Sequence, residues 1–227
     1  MSDEAKAVYR VSMLRSPWQK FKDTLFFPLR AFILFHTDQW GLSAQSTERF
    51  DYVAREVEGF CLDVGCGRNN RFIKEFLGGN GKGVDVYPYE GLLPENLLNN
   101  LTHFPFDDES FQAVTFIANI NHVPRSQRDI ELAEAYRCLK VGGKIIITMG
   151  NPIAELLVHK VMYLYDSYLG TKVDMDTERG MGEEEEFYLT DKEIKDRLLR
   201  AGFTNIRKRY FGTQWFLNHL FVGWKVG

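Results

Sequence analysis

Residues 60–70 read FCLDVGCGRNN and combine residue types that suit a ligand-binding turn. An apolar run reaches an acid, Asp63, and Gly65 and Gly67 follow it two residues apart. Glycine lets the main chain turn sharply and approach a ligand without a side-chain clash. A helical pattern begins directly afterwards, and a helix N-terminus favours an anionic group, a carboxylate included. This stretch is therefore the first candidate binding site.

A second acid stands at the end of the next apolar run, KGVDV at 82–86. Asp85 follows Gly67 by 18 residues, where an acid can accept hydrogen bonds from both hydroxyls of a ribose. The dinucleotide fingerprint of NAD enzymes requires a third glycine where Asn70 stands, and no Tyr/Lys hydride-transfer pair is apparent. We expect a ligand that contains a ribose, and an NAD-type oxidoreductase is the disfavoured alternative.

Short apolar runs alternate with helical patterns from residue 59 onward, which predicts βαβ units and a parallel sheet. The predicted strands are GFCLDV (59–64), KGVDV (82–86), QAVTFIA (112–118), KIIITM (144–149) and a C-terminal hairpin of 203–211 with 215–226. The predicted helices cover 70–79, 126–143 with a capping box at Ser126 and a stop at Gly142, and 190–203 with a capping box at Thr190.

Two segments depart from this alternation within a chain that we interpret as one domain, 1–227. Residues 1–58 are mostly helical and aromatic in pattern and predict an N-terminal helical lid. Residues 151–188 are far longer than a usual connection and predict an inserted lid or substrate-covering segment. Residues 17–35 mix Lys and Arg with aromatics, so peripheral contact with a membrane surface is the alternative reading of that part.

Composition excludes several classes of protein. The chain has 227 residues, 44% of them hydrophobic, and a net charge of -3, without the basic excess of a nucleic-acid binder. Its three cysteines fit neither a disulfide framework nor a zinc pattern. The acidic N-terminus is unlike a secretory signal, and the apolar stretch 24–35 is too short to span a bilayer. We expect a cytoplasmic protein; its oligomeric state is not indicated.

Four motifs carry a resemblance to a known family: DVGCG at 63–67, the acid in GVDVYP at 83–88, HFPFDDESFQAVTFIANINHVP at 103–124 and LAEAYRCLKVGGKIIIT at 132–148. In this order and spacing they resemble the class I S-adenosylmethionine-dependent methyltransferases. The last two resemble the small-molecule, type 11-like branch. The resemblance covers about residues 45–150. It implies a Rossmann-like, doubly wound, mostly parallel seven-stranded α/β sheet with a C-terminal antiparallel hairpin, and S-adenosyl-L-methionine as the cofactor.

The resemblance also implies roles for individual residues. The cofactor-binding positions are Asp63, Gly65, Cys66 and Gly67 for the methionine part, Asp85 for the ribose, Val86, Asn100 and Leu101 for the adenine, and Asn119 with Ala118 for the ammonium end. Two positions depart from the family. Asn69 occupies the usual third-glycine site of the loop, and Asn100 replaces an acid that meets the adenine amino group. An Asn carbonyl can still accept that hydrogen bond.

His122 is the candidate catalytic residue. Methyl transfer needs a base only if the nucleophile arrives protonated, and His122 follows a strand whose end faces the site. The alternative is that His122 packs against or caps the helix after it. His103 and Tyr87 are weaker candidates, and no histidine has the spacing of a metal ligand.

The expected function is methyl transfer to a small, partly apolar acceptor molecule. The alternative is a protein that binds S-adenosylmethionine or S-adenosylhomocysteine without catalysis, as a sensor or an inactive partner subunit. The departures at Asn69 and Asn100 motivate this alternative.

Overall fold

The computed structural model describes residues 15–32, 34, 38–100, 102–151 and 189–227. Leu101 and almost all of the predicted insertion at 151–188 lie outside them. The strands are β1 (Cys61–Val64), β2 (Gly81–Val84), β3 (Phe111–Ile117), β4 (Leu139–Gly150), β5 (Thr204–Tyr210) and β6 (Asn218–Trp224). The helices are α1 (Pro17–Leu25), α2 (Phe27–Phe32), α3 (Gln45–Ala54), α4 (Arg125–Cys138) and α5 (Asp191–Arg200).

The described strands form one sheet in the order β2-β1-β3-β4-β6-β5. Strands β2, β1, β3 and β4 are parallel to one another, and β6 pairs antiparallel with both β4 and β5. The order reverses between β1 and β3, and such a switch point opens a crevice at the carboxyl ends of the strands. The expected α/β class and the C-terminal hairpin are confirmed.

Both faces of the sheet are covered, as in a doubly wound fold. Alternate strand residues point to opposite faces, so Ile145 and Ile146 of β4 enter different cores. One core includes Leu132 of α4 and Leu198 of α5. The other includes Val53 of α3. This packing leaves the loops at the strand ends as the place for a ligand.

The strand count differs from the expected seven, because six strands occur in the described residues. Beyond β2, a single parallel bridge joins Asp85 to Leu97. The amide of Asp85 donates to the Asn96 carbonyl at 2.8 Å, and the amide of Leu98 donates to the Asp85 carbonyl at 2.9 Å. The chain thus runs beside Asp85 for the length of one bridge only, which is too short to count as a strand.

Two predicted helices were wrong in their extent. Residues 68–76 form a 3-10 turn followed by a single π-helical turn, Phe72–Phe76, in place of the helix expected over 70–79. Helix α4 starts at Arg125 without a side-chain cap, so the capping box at Ser126 was wrong. The same helix ends at Cys138, and Gly142 lies within β4, where its amide donates to the Lys225 carbonyl at 2.8 Å. The Thr190 cap of α5 is confirmed by a 3.2 Å bond from the Glu193 amide.

A buried arginine attaches the N-terminal helices to the rest of the fold. Arg30 of α2 is fully buried, and its guanidinium pairs with Glu48 of α3 at 2.6 Å. It also donates to the backbone carbonyl of Asp23 at 2.7 Å. A buried ion pair persists only where its hydrogen bonds are made, so this contact holds α1 and α2 in place. Within the described ranges no helix has the length and apolar character to cross a membrane.

Candidate cofactor-binding site

The loop after β1 bends over the end of β2. Gly65 and Gly67 have φ of 72° and 62°, the left-handed region that favours glycine. The amides of Gly65 and Cys66 donate to the Val84 carbonyl at 2.8 and 3.1 Å. The loop's conformation therefore requires both glycines, and its backbone turns at the switch point of the sheet.

Asp85 links this loop to the end of β2. Its Oδ2 accepts a hydrogen bond of 2.9 Å from the amide of Gly67, and its Oδ1 accepts one of 3.0 Å from the amide of Tyr87. A carboxylate oxygen can accept more than one hydrogen bond, which makes this acid a suitable acceptor for ribose hydroxyls. The side chain is buried and its direction is set by these two amides. Two of the predicted site residues, Gly67 and Asp85, are therefore in direct contact.

Asp63 lies at the end of β1 beneath the loop and is almost fully buried. Its Oδ1 accepts a 2.6 Å hydrogen bond from Thr115 Oγ1 of β3. Burial raises the pKa of the Asp63 carboxyl to about 7; the bond from Thr115 opposes this rise and the nearby Asp85 adds to it. A buried carboxyl with a raised pKa gains from a cationic partner, and the ammonium group of a methionine moiety is one.

Asn119 closes the other side of the loop. A Cβ placed on Gly65 would lie only 2.3 Å from the Asn119 side chain, so the two residues are in close approach. The Asn119 amide group donates to the Val64 carbonyl at 3.3 Å. Ala118, just before it, has a φ of 52°, and its amide donates to Thr148 Oγ1 at 2.9 Å. A non-glycine residue in this region is strained, which is common at ligand sites.

The departure at Asn69 has a conformational explanation. Asn69 and Asn70 have φ of 60° and 48°, and asparagine is among the few residues with a side chain that tolerate this region. The Asn69 amide donates to the Glu90 carbonyl at 2.9 Å. Asn70 packs so closely on β2 that a Cβ at Gly83 would lie 2.2 Å from its Oδ1. The missing third glycine is thus compatible with the turn that the loop makes.

Two of the three predicted adenine contacts, Val86 and Asn100, lie at the surface of the protein. Val86 is exposed beside Asp85, as a side chain that packs on a base must be. The exposed Asn100 uses its Oδ1 to accept hydrogen bonds from the amide and the hydroxyl of Thr102, at 3.1 and 2.7 Å. An adenine amino group would compete with those bonds. Leu101 lies outside the described residues.

The candidate base, His122, lies three residues after Asn119. His122 ends a 3-10 turn, Ile120–His122, and its amide donates to the Asn119 carbonyl at 2.8 Å. Its ring Nε2 lies 3.4 Å from Asn121 Nδ2. Of the weaker candidates, Tyr87 holds Asp85 through its amide, and the ring of His103 lies 3.2 Å from Glu134. Neither arrangement singles out a second base.

The thiol of Cys66 is not a nucleophile in this arrangement. It is buried within the loop, and burial raises its pKa well above the ordinary value, with the nearby Asp63 and Asp85 adding to the rise. All three cysteines are buried free thiols. In the described part of the chain no group of three or more His, Cys, Asp or Glu is placed to hold a metal ion.

Two hydroxyls at the site escaped the sequence reasoning: Thr115, which bonds Asp63, and Thr148, which bonds the amide of Ala118. Both are fully buried within strands that read as uniformly apolar. The available signal was a single Thr inside each buried run. Together with the glycine loop and Asp85, these residues form a cradle that suits a ligand with an ammonium group and a ribose, as S-adenosylmethionine has.

Comparison with known proteins agrees with this geometry. Residues 62–147 match the family model described as "Methyltransferase domain". The chain is 27% identical over 178 residues to the Ubiquinone/menaquinone biosynthesis C-methyltransferase UbiE of Rhizobium johnstonii, covering 75% of this chain and 61% of that protein. A similar protein of Bartonella bacilliformis is 28% identical over 133 residues. The chain spans about half the length of the curated relatives it matches, 50% in that case.

Solved structures share the fold. A SAM-dependent methyltransferase from Methanosarcina mazei superposes with a TM-score of 0.53 at 19% identity, covering 77% of this chain and 97% of that one. A Thermotoga maritima structure, titled a SAM-dependent methyltransferase and "possible histamine N-methyltransferase", has a TM-score of 0.54 at 18% identity, with 92% and 99% covered. At such identities the likeness concerns the fold. Residues 62–147 therefore match a methyltransferase domain, and the chain has the fold of the S-adenosylmethionine-dependent methyltransferases.

Proposed function

We propose that this chain transfers the methyl group of S-adenosylmethionine to a carbon atom of a small, partly apolar acceptor. The observation that carries the proposal is the corner formed by the Gly67 amide and the Asp85 carboxylate, 2.9 Å apart. It joins the glycine loop to the acid that would take the ribose. When bound, the cofactor supplies an electrophilic methyl group on a sulfonium, which is already an excellent leaving group.

The residues of this chain then have three tasks. Asp63 and the loop would hold the ammonium and carboxylate end, and Asp85 the ribose, so that the methyl carbon has one position. The acceptor atom must be held at near-attack distance, about 3 to 3.5 Å, in a site without competing water. His122 would take a proton from an acceptor whose nucleophile arrives protonated. Its position three residues after the predicted cofactor contact at Asn119 supports this role.

The choice of carbon over oxygen or nitrogen rests on the relatives. The similar proteins of Rhizobium johnstonii and Bartonella bacilliformis are both named C-methyltransferases of ubiquinone/menaquinone biosynthesis. A phenolic or enolic acceptor would make a carbon nucleophilic once its hydroxyl loses a proton, and His122 suits that proton transfer.

The alternative, binding without catalysis, has one observation in its favour. The side-chain Oδ1 of Asn100 accepts hydrogen bonds from the amide and the hydroxyl of Thr102, so the adenine amino group would have to displace one of them. The left-handed backbone of Asn69 weakens the other motive for this alternative, because asparagine keeps the turn that glycine would make.

Calorimetric titration of the purified chain with S-adenosylmethionine, S-adenosylhomocysteine and NAD in parallel tests the cofactor assignment. We expect the first two to bind and NAD not to bind. Methyl-labelled cofactor with a panel of phenols and quinone precursors then tests catalysis, and NMR of the product distinguishes a C-methyl from an O-methyl group. Binding with no product from any acceptor class would favour the non-catalytic alternative. If none of the three compounds binds, both the methyltransferase proposal and the non-catalytic alternative are contradicted.

A further inference from the structure

Helix α1 is oriented with its polar side inward. Asp23 is fully buried, and its Oδ1 accepts hydrogen bonds from Gln19 Nε2 at 3.0 Å and from the amide of Ser43 at 2.9 Å. Arg15 lies 3.3 Å from the other carboxylate oxygen. The helix is therefore attached to the protein by hydrogen bonds and ion pairs, where a surface helix normally buries its apolar stripe.

The opposite side of α1 is apolar and faces outward. With 3.6 residues per turn, Trp18, Phe21 and Leu25 lie within about 60° of one another, nearly opposite Gln19 and Asp23. The rings of Trp18 and Phe21 stack with their centroids 5.5 Å apart. All three side chains are exposed.

Two turns extend this surface on both sides of the helix. Trp215 and Phe216 form the turn between β5 and β6, and Trp215 Nε1 donates to the Thr24 carbonyl of α1 at 2.8 Å. On the other side, Lys22 donates to the carbonyl of Gly41 at 2.8 Å, next to Trp40. We name the whole surface the aromatic face, and its members, 49% to 68% exposed, are Trp18, Phe21, Leu25, Trp40, Trp215 and Phe216.

The backbone holds the outer aromatics in a costly conformation. Trp40, Trp215 and Phe216 have φ of 53°, 51° and 61°. Bulky residues are genuine outliers in this region, and such strain persists where the surrounding structure imposes it. Here the turn is anchored from within, since the buried Gln214 donates to Glu48 at 3.1 Å. The surrounding structure thus holds these rings at the surface despite the strain in their backbone.

The charge beside the aromatic face is positive. Residues 15–32 contain four basic residues and the single acid Asp23, in a chain with a net charge of -3. Two of the four, Arg15 and Arg30, pair with Asp51 and Glu48 inside the fold. The positive charge at the surface therefore comes from Lys20 and the partly exposed Lys22. Asp23 is buried and paired, whereas Lys20 is exposed. Exposed Trp, Phe and Leu with flanking Lys are the composition of helices that lie in the interface of an anionic bilayer.

The aromatic face also lies at the edge of the sheet that carries the cofactor site. The turn containing Trp215 precedes Asn218, which pairs with Gly150 at the end of β4, and β4 is parallel to β1 and β3. We propose that the aromatic face docks on an anionic lipid bilayer, with that edge of the sheet toward the membrane. This binding does not depend on methyl transfer, so the two proposals can fail separately.

Vesicle co-sedimentation of the full chain tests the proposal, with one set of phosphatidylcholine vesicles and one containing phosphatidylglycerol. We expect binding to the anionic vesicles and a blue shift of tryptophan emission. Leu25→Ser should weaken binding by about tenfold, because it removes one apolar side chain that the bilayer would bury. Leu199→Ser is the matched control: Leu199 also lies near a helix end, in α5, and both leucines are 58% exposed. Its affinity should be unchanged, and Lys20→Glu should weaken binding in a salt-dependent way.

Thermal unfolding of each variant checks that it folds, and light scattering without lipid reports the oligomeric state. Absence of wild-type binding to anionic vesicles would overturn the proposal, as would equal binding by the Leu25→Ser and Leu199→Ser variants. A dimer that Trp18→Ser dissociates, with no vesicle binding, would instead make the aromatic face an interface between two copies.

Discussion

The carboxylate of Asp85 accepts a hydrogen bond of 2.9 Å from the backbone amide of Gly67. These residues belong to different βα connections, and the bond joins the loop after β1 to the end of β2. A second amide, that of Tyr87, holds the other carboxylate oxygen at 3.0 Å. Two backbone amides therefore help to orient the acid, and a ligand that uses it need not order it first.

Replacing Asp85 should weaken cofactor binding more than it weakens folding. Asp85→Ala removes both carboxylate oxygens, so we expect a loss of about 1 to 3 kcal/mol in the binding of S-adenosylhomocysteine, measured by calorimetry. Asp85→Asn, which keeps one acceptor oxygen, should lose less. Asp196→Asn, at a half-exposed residue of α5 that pairs with Lys192, serves as the control and should bind normally. Unchanged affinity in Asp85→Ala would remove the ribose assignment.

The two loop glycines should respond differently to alanine. At Gly65 the new Cβ would meet the Asn119 side chain at 2.3 Å, whereas at Gly67 it would meet nothing within 4 Å. Both positions have positive φ, which alone costs about 1 to 2 kcal/mol for a residue with a side chain. Gly65→Ala should therefore lower the free energy of unfolding more than Gly67→Ala does, as measured by urea titration. Adding Asn119→Ala should restore part of the stability of Gly65→Ala; if it restores none, the close approach is not the cause.

Exchange of His122 should separate turnover from binding. Once an acceptor is identified, His122→Gln should reduce kcat while leaving the affinity for S-adenosylhomocysteine within about twofold, because a lost general base is typically worth about 10²-fold or more. If the variant is as active as the wild type, His122 is not the general base and its role is packing.

Glu131 of α4 should make the protein less stable as the pH rises. The side chain is buried, its Oε2 has no hydrogen-bond partner in the described part of the chain, and burial raises its pKa to about 8. Because the folded-state pKa lies above the unfolded value, the folded state binds the extra proton. Its contribution is complete below the ordinary pKa of Glu and is lost as the pH rises through about 8.

Urea titrations at roughly pH 5.5 and pH 8.5, on either side of neutrality, measure the change in the free energy of unfolding. Glu131→Gln should lose less stability between them than the wild type, by on the order of a few kcal/mol. The exposed Glu95→Gln should behave like the wild type. Asp63, whose pKa is raised to about 7, acts in the same direction and leaves a residual slope in the variant. If Glu131→Gln and the wild type lose the same stability between the two pH values, the raised pKa of Glu131 is contradicted.

Much of the candidate site could be predicted from sequence because its demands are local. A turn at positive φ selects Gly65 and Gly67, and an acid at a strand end can be recognised from the run before it. The same locality explains the confirmed hairpin and the Thr190 cap. The errors also have a local cause. Residues 70–79 have helical spacing but a left-handed Asn70 at their start, and the chain makes only short turns there.

The sequence by itself determined the class of fold, the glycine loop and the kind of ligand that the loop suits, since these depend on residue types at short spacing. Only the tertiary structure decided which distant residues meet. The register of β1 and β3 places Thr115 against Asp63, and burial raises the pKa of that carboxyl. Packing against Ser43 and Arg15 turns the polar side of α1 inward and leaves Trp18 outside. Periodicity shows that a helix has two sides, but the contacts across the chain select which one is buried.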